Sequence, residues 1–225
     1  MVTTPPTPDA LPAFSALLLA GGRSRRMGRD KAALPWQGRT LLEHMSRLLV
    51  AAGAARVWRS GPYAGANGLG ACRAYGIESD LQPIFHKSDR LLADIEPELG
   101  PVGGLLSLAG KAPDGLYLVV PVDMPLLDGA LLHRLLEALV DADRTVGSVC
   151  FDGHVLPLAL RLDDVSRTAI RAVAARPASG RSLRAVQQAL NGIALALPDG
   201  FEAALSNCNT PEQWCELAQV GEGSR

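Results

Sequence analysis

The chain has 225 residues, 22 Lys and Arg against 23 Asp and Glu, a net charge of −1, and is 48% hydrophobic and 20% charged. A single soluble domain with a substantial core suits that length and composition, and the even charge balance excludes a protein held to nucleic acid by a basic surface. No stretch is long and apolar enough to cross a bilayer, and residues 1–12 lack the cationic start of a secretory signal, so a cytoplasmic protein with neither membrane nor nucleic-acid partner is expected.

Residues 1–13 carry Pro5, Pro6, Pro8 and Pro12 and read as a disordered leader. The apolar run Phe14 to Ala20 predicts a buried strand, stopped by Gly21-Gly22. Five cations then fall within nine residues (Arg23, Arg25, Arg26, Arg29 and Lys31), offset only by Asp30. Glycines let backbone N–H groups approach phosphate oxygens, and fixed cations neutralise them, so this loop suits a polyphosphate. Its spacing matches neither the P-loop nor the dinucleotide fingerprint.

Ala32 to Arg39 predicts a short extended piece and a turn. Thr40 and Glu43 fit a capping box ahead of a helix with Leu41, Met45, Leu48 and Leu49 on its buried face and Gly53 as its C-cap. Val57-Trp58 begins a second strand, giving a β-loop-α-β unit and a parallel sheet. Residues 61–90 are glycine-rich and weakly periodic and carry no assigned chemistry. Arg90 to Ala93 predicts a strand leading into Asp94, and Gly100-Pro101-Val102-Gly103-Gly104 a turn before a helix. Leu116 to Val122 is the strongest central-strand signal and runs into Asp123-Met124-Pro125. Asp128 caps a helix with Leu131, Leu132, Leu135, Leu136 and Leu139 on its stripe.

Thr145 to Cys150 predicts a strand and Asp152-Gly153 a turn. His154 to Leu160 predicts a strand that Pro157 places at an edge or bulge. Helices near 163–175 and 182–190 and a strand at Ile193 to Leu197 follow. Thr210 then starts a last helix, with Pro211 at its first position. The four cysteines (Cys72, Cys150, Cys208, Cys215) make no C-x-x-C pair and read as reduced thiols. The alternation of strands and helices gives an α/β fold with a mostly parallel sheet, in one domain over 14–219, and a flexible tail at 220–225. In such sheets ligands bind beyond the strands' carboxyl ends, where the Gly21–Lys31 loop, Asp94 and Asp123 fall.

The residues at those ends support phosphoryl or nucleotidyl transfer. Lys31 is a compact charge for an α- or β-phosphate, and Arg26 suits forked contact with phosphate oxygens. Asp123 is the hard oxygen ligand that Mg²⁺ takes along with waters and phosphates. Catalysis of this kind is positioning plus charge stabilisation, and needs no side-chain nucleophile. Each residue also has a purely structural reading: Gly21-Gly22 as a turn, the cations as solvated surface, Asp94 and Asp123 as turn caps. Asp163-Asp164 reads as a helix cap. His44, His86, His133 and His154 lack metal-ligand spacing and read as structural or surface residues; Trp36 and Trp58 read as packing residues.

The segment Leu19-Ala20-Gly21-Gly22-x-Ser24-x-Arg26-Met27-Gly28-x-Asp30-Lys31 resembles the L-A-G-G-x-S-x-R-M-G-x-D-K signature of the molybdenum cofactor guanylyltransferases (MobA proteins), nucleotidyltransferases of Rossmann-like three-layer fold. Gly100-Pro101-x-x-Gly104, Asp123-x-Pro125 and Asn207-x-Asn209-Thr210-Pro211-Glu212 resemble three further blocks of that family. The resemblance implies transfer of GMP from GTP to the terminal phosphate of molybdenum-bound pyranopterin (molybdopterin), releasing pyrophosphate, with Mg²⁺ as cofactor. It implies that Leu19, Ala20, Gly21, Gly22, Lys31, Asp94 and Asp123 bind GTP, that Asp123 also binds the metal, and that Asn207 and Asn209 lie on the pterin side. Other cofactor-biosynthesis or chaperone proteins are the implied protein partners. Where the family's second strand often ends in a GTP-binding asparagine, this chain has Arg59-Ser60-Gly61, and Ser60 is the candidate replacement. Three other readings stay open: a cytidylyltransferase acting on the same pterin phosphate, a nucleotidyltransferase for a sugar or lipid phosphate, and a non-catalytic GTP-binding module that hands over cofactor.

Overall fold

The computed structural model describes residues 11–20, 31–61, 90–92, 99–208, 210, 213 and 214. Residues 1–10, 21–30, 62–89, 93–98 and the tail from 215 lie outside the described residues. Strand β1 (Phe14–Leu19) is followed by a 3₁₀ turn (Lys31–Ala33) and a small hairpin of β2 (Pro35–Trp36) and β3 (Arg39–Thr40). Gln37 and Gly38 both have positive φ, 47° and 79°, as the tight primed turn of a two-residue hairpin requires.

Helix α1 (Leu41–Ala51) starts where expected but with half of the expected capping box: the Thr40 side chain accepts the Glu43 N–H at 3.2 Å, while the Glu43 carboxylate accepts from Arg47 instead of reaching back to Thr40. It ends in a Schellman motif: Gly53 N–H donates to the Val50 carbonyl, and Ala54 N–H to the Leu49 carbonyl. Then follow β4 (Val57–Ser60), β5 (Arg90–Leu92), α2 (Pro101–Lys111), β6 (Gly115–Pro121), α3 (Gly129–Asp141), β7 (Ser148–Phe151), β8 (Leu158–Leu162), α4 (Asp164–Ala174), α5 (Leu183–Ala189) and β9 (Ile193–Leu195). Asp128, Asp163 and Ser182 cap α3, α4 and α5 with their side chains. Asp163 and Ser166 form a reciprocal capping box.

Among the described residues, seven strands form one sheet in the order β5-β4-β1-β6-β8-β7-β9. Every pairing is parallel except the two made by β8. Side chains of β6 alternate between two cores, as period-2 geometry demands. Leu118 and Val120 join Ala16 and Leu18 under α1 and α3. Tyr117 and Val119 join Leu17 and Leu19 under α2, α4 and α5. The result is three layers, helix–sheet–helix. No helix of the described residues is long and apolar enough to cross a membrane.

Two expectations about strands are corrected. The strand after Pro157 is not at an edge: β8 lies between β6 and β7, antiparallel to both. Pro157 precedes its first residue, Leu158, so the missing N–H falls outside the ladder and an interior position costs nothing. Strand β7 also begins later than expected, because the Asp143 side chain and carbonyl hold Thr145 and Val146 in a turn.

Candidate active site

Strand register sets up the site. Leu19 is level with Ser60 on one side and Pro121 on the other, so the chain leaves β1, β4 and β6 along one rim. Ala20 N–H donates to the Ser60 carbonyl at 2.9 Å, and Val122 N–H to the Leu19 carbonyl at 3.0 Å. Those bonds carry the ladder one residue past the strands, and Asp123 is the first residue beyond it. Here the Lys31 ammonium meets the Asp123 carboxylate: Nζ to Oδ2 is 2.7 Å, with each side chain 18% exposed. They are 92 residues apart in sequence. The anchor on the lysine side is local, since Leu34 N–H donates to the Lys31 carbonyl and Leu41 N–H to the Leu34 carbonyl. The 3₁₀ turn is thereby tied to the start of α1.

The turn after Asp123 is held at each carbonyl. Cys208 N–H donates to the Asp123 carbonyl at 2.9 Å, Leu127 N–H to that of Met124 at 3.1 Å, and the His44 ring nitrogen Nε2 lies 2.8 Å from that of Pro125. A carbonyl only accepts, so Nε2 of His44 carries the proton. Burial lowers the His44 pKa and the nearby Arg39 charge lowers it further, against the pull of the Pro125 carbonyl. The Cys208 thiol also points at the Asp123 carbonyl, at 3.4 Å. Burial and then the Asp123 charge raise its pKa to about 11, opposed by Lys31, so it is a thiol rather than a nucleophile.

Strand β9 explains how the C-terminal block arrives. It runs parallel to β7, which two antiparallel steps make parallel to β6, so β9 also ends at the rim. Leu197, Phe201, Ala204 and Leu205 then pack onto the core under α1 and α3, bringing Cys208 to Asp123. Asn207 is exposed beside it. Thr210 accepts the Gln213 N–H at its side chain, as the expected cap does, and Trp214 packs edge-on against Trp36 at 5.4 Å. Trp36 in turn lies 5.9 Å from the His44 ring.

The second glycine block has a packing role. A Cβ on Gly104 would sit 2.6 Å from Leu19 Cδ2 and 2.6 Å from Ser60 Oγ, so glycine lets α2 close against the ends of β1 and β4. Ser60 is buried there, at 4% exposure.

Of the expected site residues, the structure brings together Lys31 and Asp123, with Leu19 and Ala20 at the strand end behind them and Asn207 on the adjoining segment. Gly21, Gly22, Arg26, Asp94 and Asn209 lie outside the described residues. Among the described residues no group of three His, Cys, Asp or Glu could hold a metal by itself. Mg²⁺ does not need one, because it binds through one or two carboxylates and completes its shell with water and phosphate. Asp123, partly exposed at the rim and with hard oxygen donors, fits that requirement. Sequence reasoning sets His44 aside. Its signal is position: three residues after Leu41 and four before Leu48, it lies along the buried stripe of α1 where a polar ring needs a partner.

The MobA-like NTP transferase domain model matches residues 16–193. The molybdenum cofactor guanylyltransferase of Xanthomonas euvesicatoria pv. vesicatoria (strain 85-10) is 43% identical over 208 residues, 91% of this chain and 94% of that protein. That of Pseudomonas syringae pv. syringae (strain B728a) is 33% identical over 217 residues, 96% of each. In fold, the solved structure of molybdopterin-guanine dinucleotide biosynthesis protein A from Archaeoglobus fulgidus matches with a TM-score of 0.68 at 15% identity, covering 93% of this chain and 99% of that one. With the family model spanning most of the chain and these relatives nearly all of it, the chain belongs to the MobA-like NTP transferase family and is a nucleotidyltransferase.

Proposed function

We propose that the chain transfers GMP from GTP to the terminal phosphate of molybdenum-bound molybdopterin, giving the guanine dinucleotide cofactor and pyrophosphate. The observation that carries this reading is the Lys31–Asp123 pair at 2.7 Å, with the segment bearing Asn207 hydrogen-bonded to the Asp123 backbone. A cation and a carboxylate thus stand beside a second segment, which supports one substrate on each side. Relatives named molybdenum cofactor guanylyltransferase over nearly the whole chain support the same reading.

In the reaction an oxygen of the pterin's terminal phosphate attacks the α-phosphorus of GTP in line. The bond from that phosphorus to the bridging oxygen breaks, and pyrophosphate leaves with the electron pair. Lys31 exchanges its contact with Asp123 for phosphate oxygens, matching charge with charge. Arg26 adds a forked contact, while Leu19, Ala20, Gly21, Gly22 and Asp94 hold the nucleotide. Asn207 and Asn209 belong to the block assigned to the pterin side. Enzymes of this family commonly use a divalent metal; here Asp123 would hold Mg²⁺, which when bound would neutralise charge on the phosphates. A cytoplasmic setting, a single domain over 14–219 and exchange of cofactor with other molybdenum cofactor proteins belong to the same reading.

The test is pyrophosphate release with Mg²⁺ and molybdenum-loaded molybdopterin, comparing GTP with CTP. GTP is expected to win by about 100-fold or more in kcat/KM, since a site that hydrogen-bonds one base leaves buried polar groups unpaired with the other. Preference for CTP would make the chain a cytidylyltransferase. Binding of GTP without turnover would make it a handover module.

A further inference from the structure

We propose that His44 is a positioning residue for the metal-binding carboxylate: from α1 it fixes the Asp123-Met124-Pro125 turn by donating its Nε2–H to the Pro125 carbonyl. The activity arm of this inference rests on the function proposed above.

The turn contains the residue on which metal binding depends, yet it lies past the last ladder bond of β6, so its placement needs other anchors. Two of its three carbonyls are held by backbone groups, Asp123 by Cys208 N–H and Met124 by Leu127 N–H. The third, on buried Pro125, is met by the half-buried His44 side chain at 2.8 Å from 81 residues away. Leaving a buried carbonyl without a donor is costly, so the turn is expected to shift when the ring is removed. Proline heightens this dependence, because it contributes an acceptor and no donor to the turn.

His44 is itself held on both sides. The Thr40 cap sets the first turn of α1, from which the ring projects. Trp36 packs against the ring at 5.9 Å, and Trp214 against Trp36 at 5.4 Å. A three-ring row therefore joins the C-terminal block to the same turn that Cys208 reaches through the backbone. The turn carrying Asp123 is clamped from α1 and from the pterin-side segment together.

The experiment compares His44→Leu, which removes the donor, with His44→Gln, whose side-chain amide reaches a similar point. In the pyrophosphate assay, His44→Leu is expected to lower kcat by about 10-fold to 100-fold, the usual cost of losing a group that orients a metal ligand. Its KM for GTP should stay within about threefold, and His44→Gln should recover kcat to within about threefold of wild type, because the amide still donates. A second readout is Mn²⁺ binding followed by its paramagnetic resonance signal, with and without GTP and without pterin. His44→Leu should weaken it by about tenfold and His44→Gln should not. Unchanged kcat and Mn²⁺ affinity in His44→Leu would overturn the inference, as would equal losses in both variants. If wild-type protein turns over neither GTP nor CTP, the function proposed above fails and the Mn²⁺ titration alone decides the role of His44.

Discussion

Two aspartates stand just beyond buried strands on the same rim of the sheet, and they do opposite things. Asp152 follows β7, is exposed, and spends its carboxylate on the next residue's N–H, Gly153, at 2.9 Å in a tight turn with Gly153 at φ 75°. Asp123 follows β6 and keeps its carboxylate for Lys31. The difference lies in the backbone. Around Asp123, the carbonyls are taken by Cys208, Leu127 and His44, and the entering N–H of Val122 by Leu19. With its turn satisfied by other elements, the Asp123 side chain is available to a cation or a metal.

Mutations should separate the two sites in graded fashion. The largest effect is expected from Asp123→Ala, a drop of about 100-fold or more in kcat for pyrophosphate release, because metal and charge stabilisation are lost together. Near-normal turnover in that variant would sink the active-site assignment and reduce Asp123 to the rank of Asp152. Lys31→Met should follow, with about 10-fold to 100-fold lost in kcat/KM for GTP, since one phosphate-matching charge goes. Cys208→Ala should be mild: its backbone N–H still holds Asp123, so kcat should stay within about threefold and chemical denaturation show about 1 kcal/mol lost with the buried sulfur. Smallest of all, Asp152→Ala should leave kcat within about twofold and cost at most about 1 kcal/mol, the worth of one exposed local hydrogen bond.

Cys208 also allows a pH test. Its thiol rises from 9.0 to about 11 on folding. The unfolded chain therefore gives up the proton first, so the group's contribution to stability is full below pH 9 and is lost as pH climbs toward 11. Stability measured by denaturation across that window should decline more steeply than in Cys208→Ala, which keeps the contributions of Cys150 and Tyr117, whose pKa values burial also raises. Mass-spectrometric mapping of iodoacetamide labelling at about pH 8 should find Cys208 unreactive in the folded protein, because the thiolate fraction is too small to react.

Much of the fold is legible in the residues alone. The caps at Thr40, Asp128 and Asp163, the leucine stripe of α3 and the turn at Gly53 are local events, set by neighbours within a few residues, and each lies where the residue pattern places it. Lys31 and Asp123 each stand out in the sequence, one for phosphate and one for metal. Their 2.7 Å pairing is not legible there, because the contact spans 92 positions and depends on β1 and β6 being sheet neighbours. Pro157 misleads for a related reason. A proline signals a missing donor, but whether that donor is needed depends on where the ladder starts, and here it starts one residue later. His44 offers only a polar ring on an apolar stripe, with nothing in its surroundings to name Pro125 as its partner.

The residues alone set the parts: a strand emptying into a cationic glycine loop, an aspartate after the most apolar strand, a C-terminal Asn-x-Asn-Thr-Pro block, and the helices between them. These follow from periodicity, capping and charge, which act over a few residues. Tertiary structure alone decided their assembly. The parallel run of β4, β1 and β6 brings their ends to one rim, and the antiparallel strand β8 turns the chain so that β9 emerges at that rim as well. Through that route Cys208 meets the Asp123 carbonyl while Lys31 meets its carboxylate. Strand order and direction are set by burial of whole faces of the sheet, a collective property that no short stretch of residues carries.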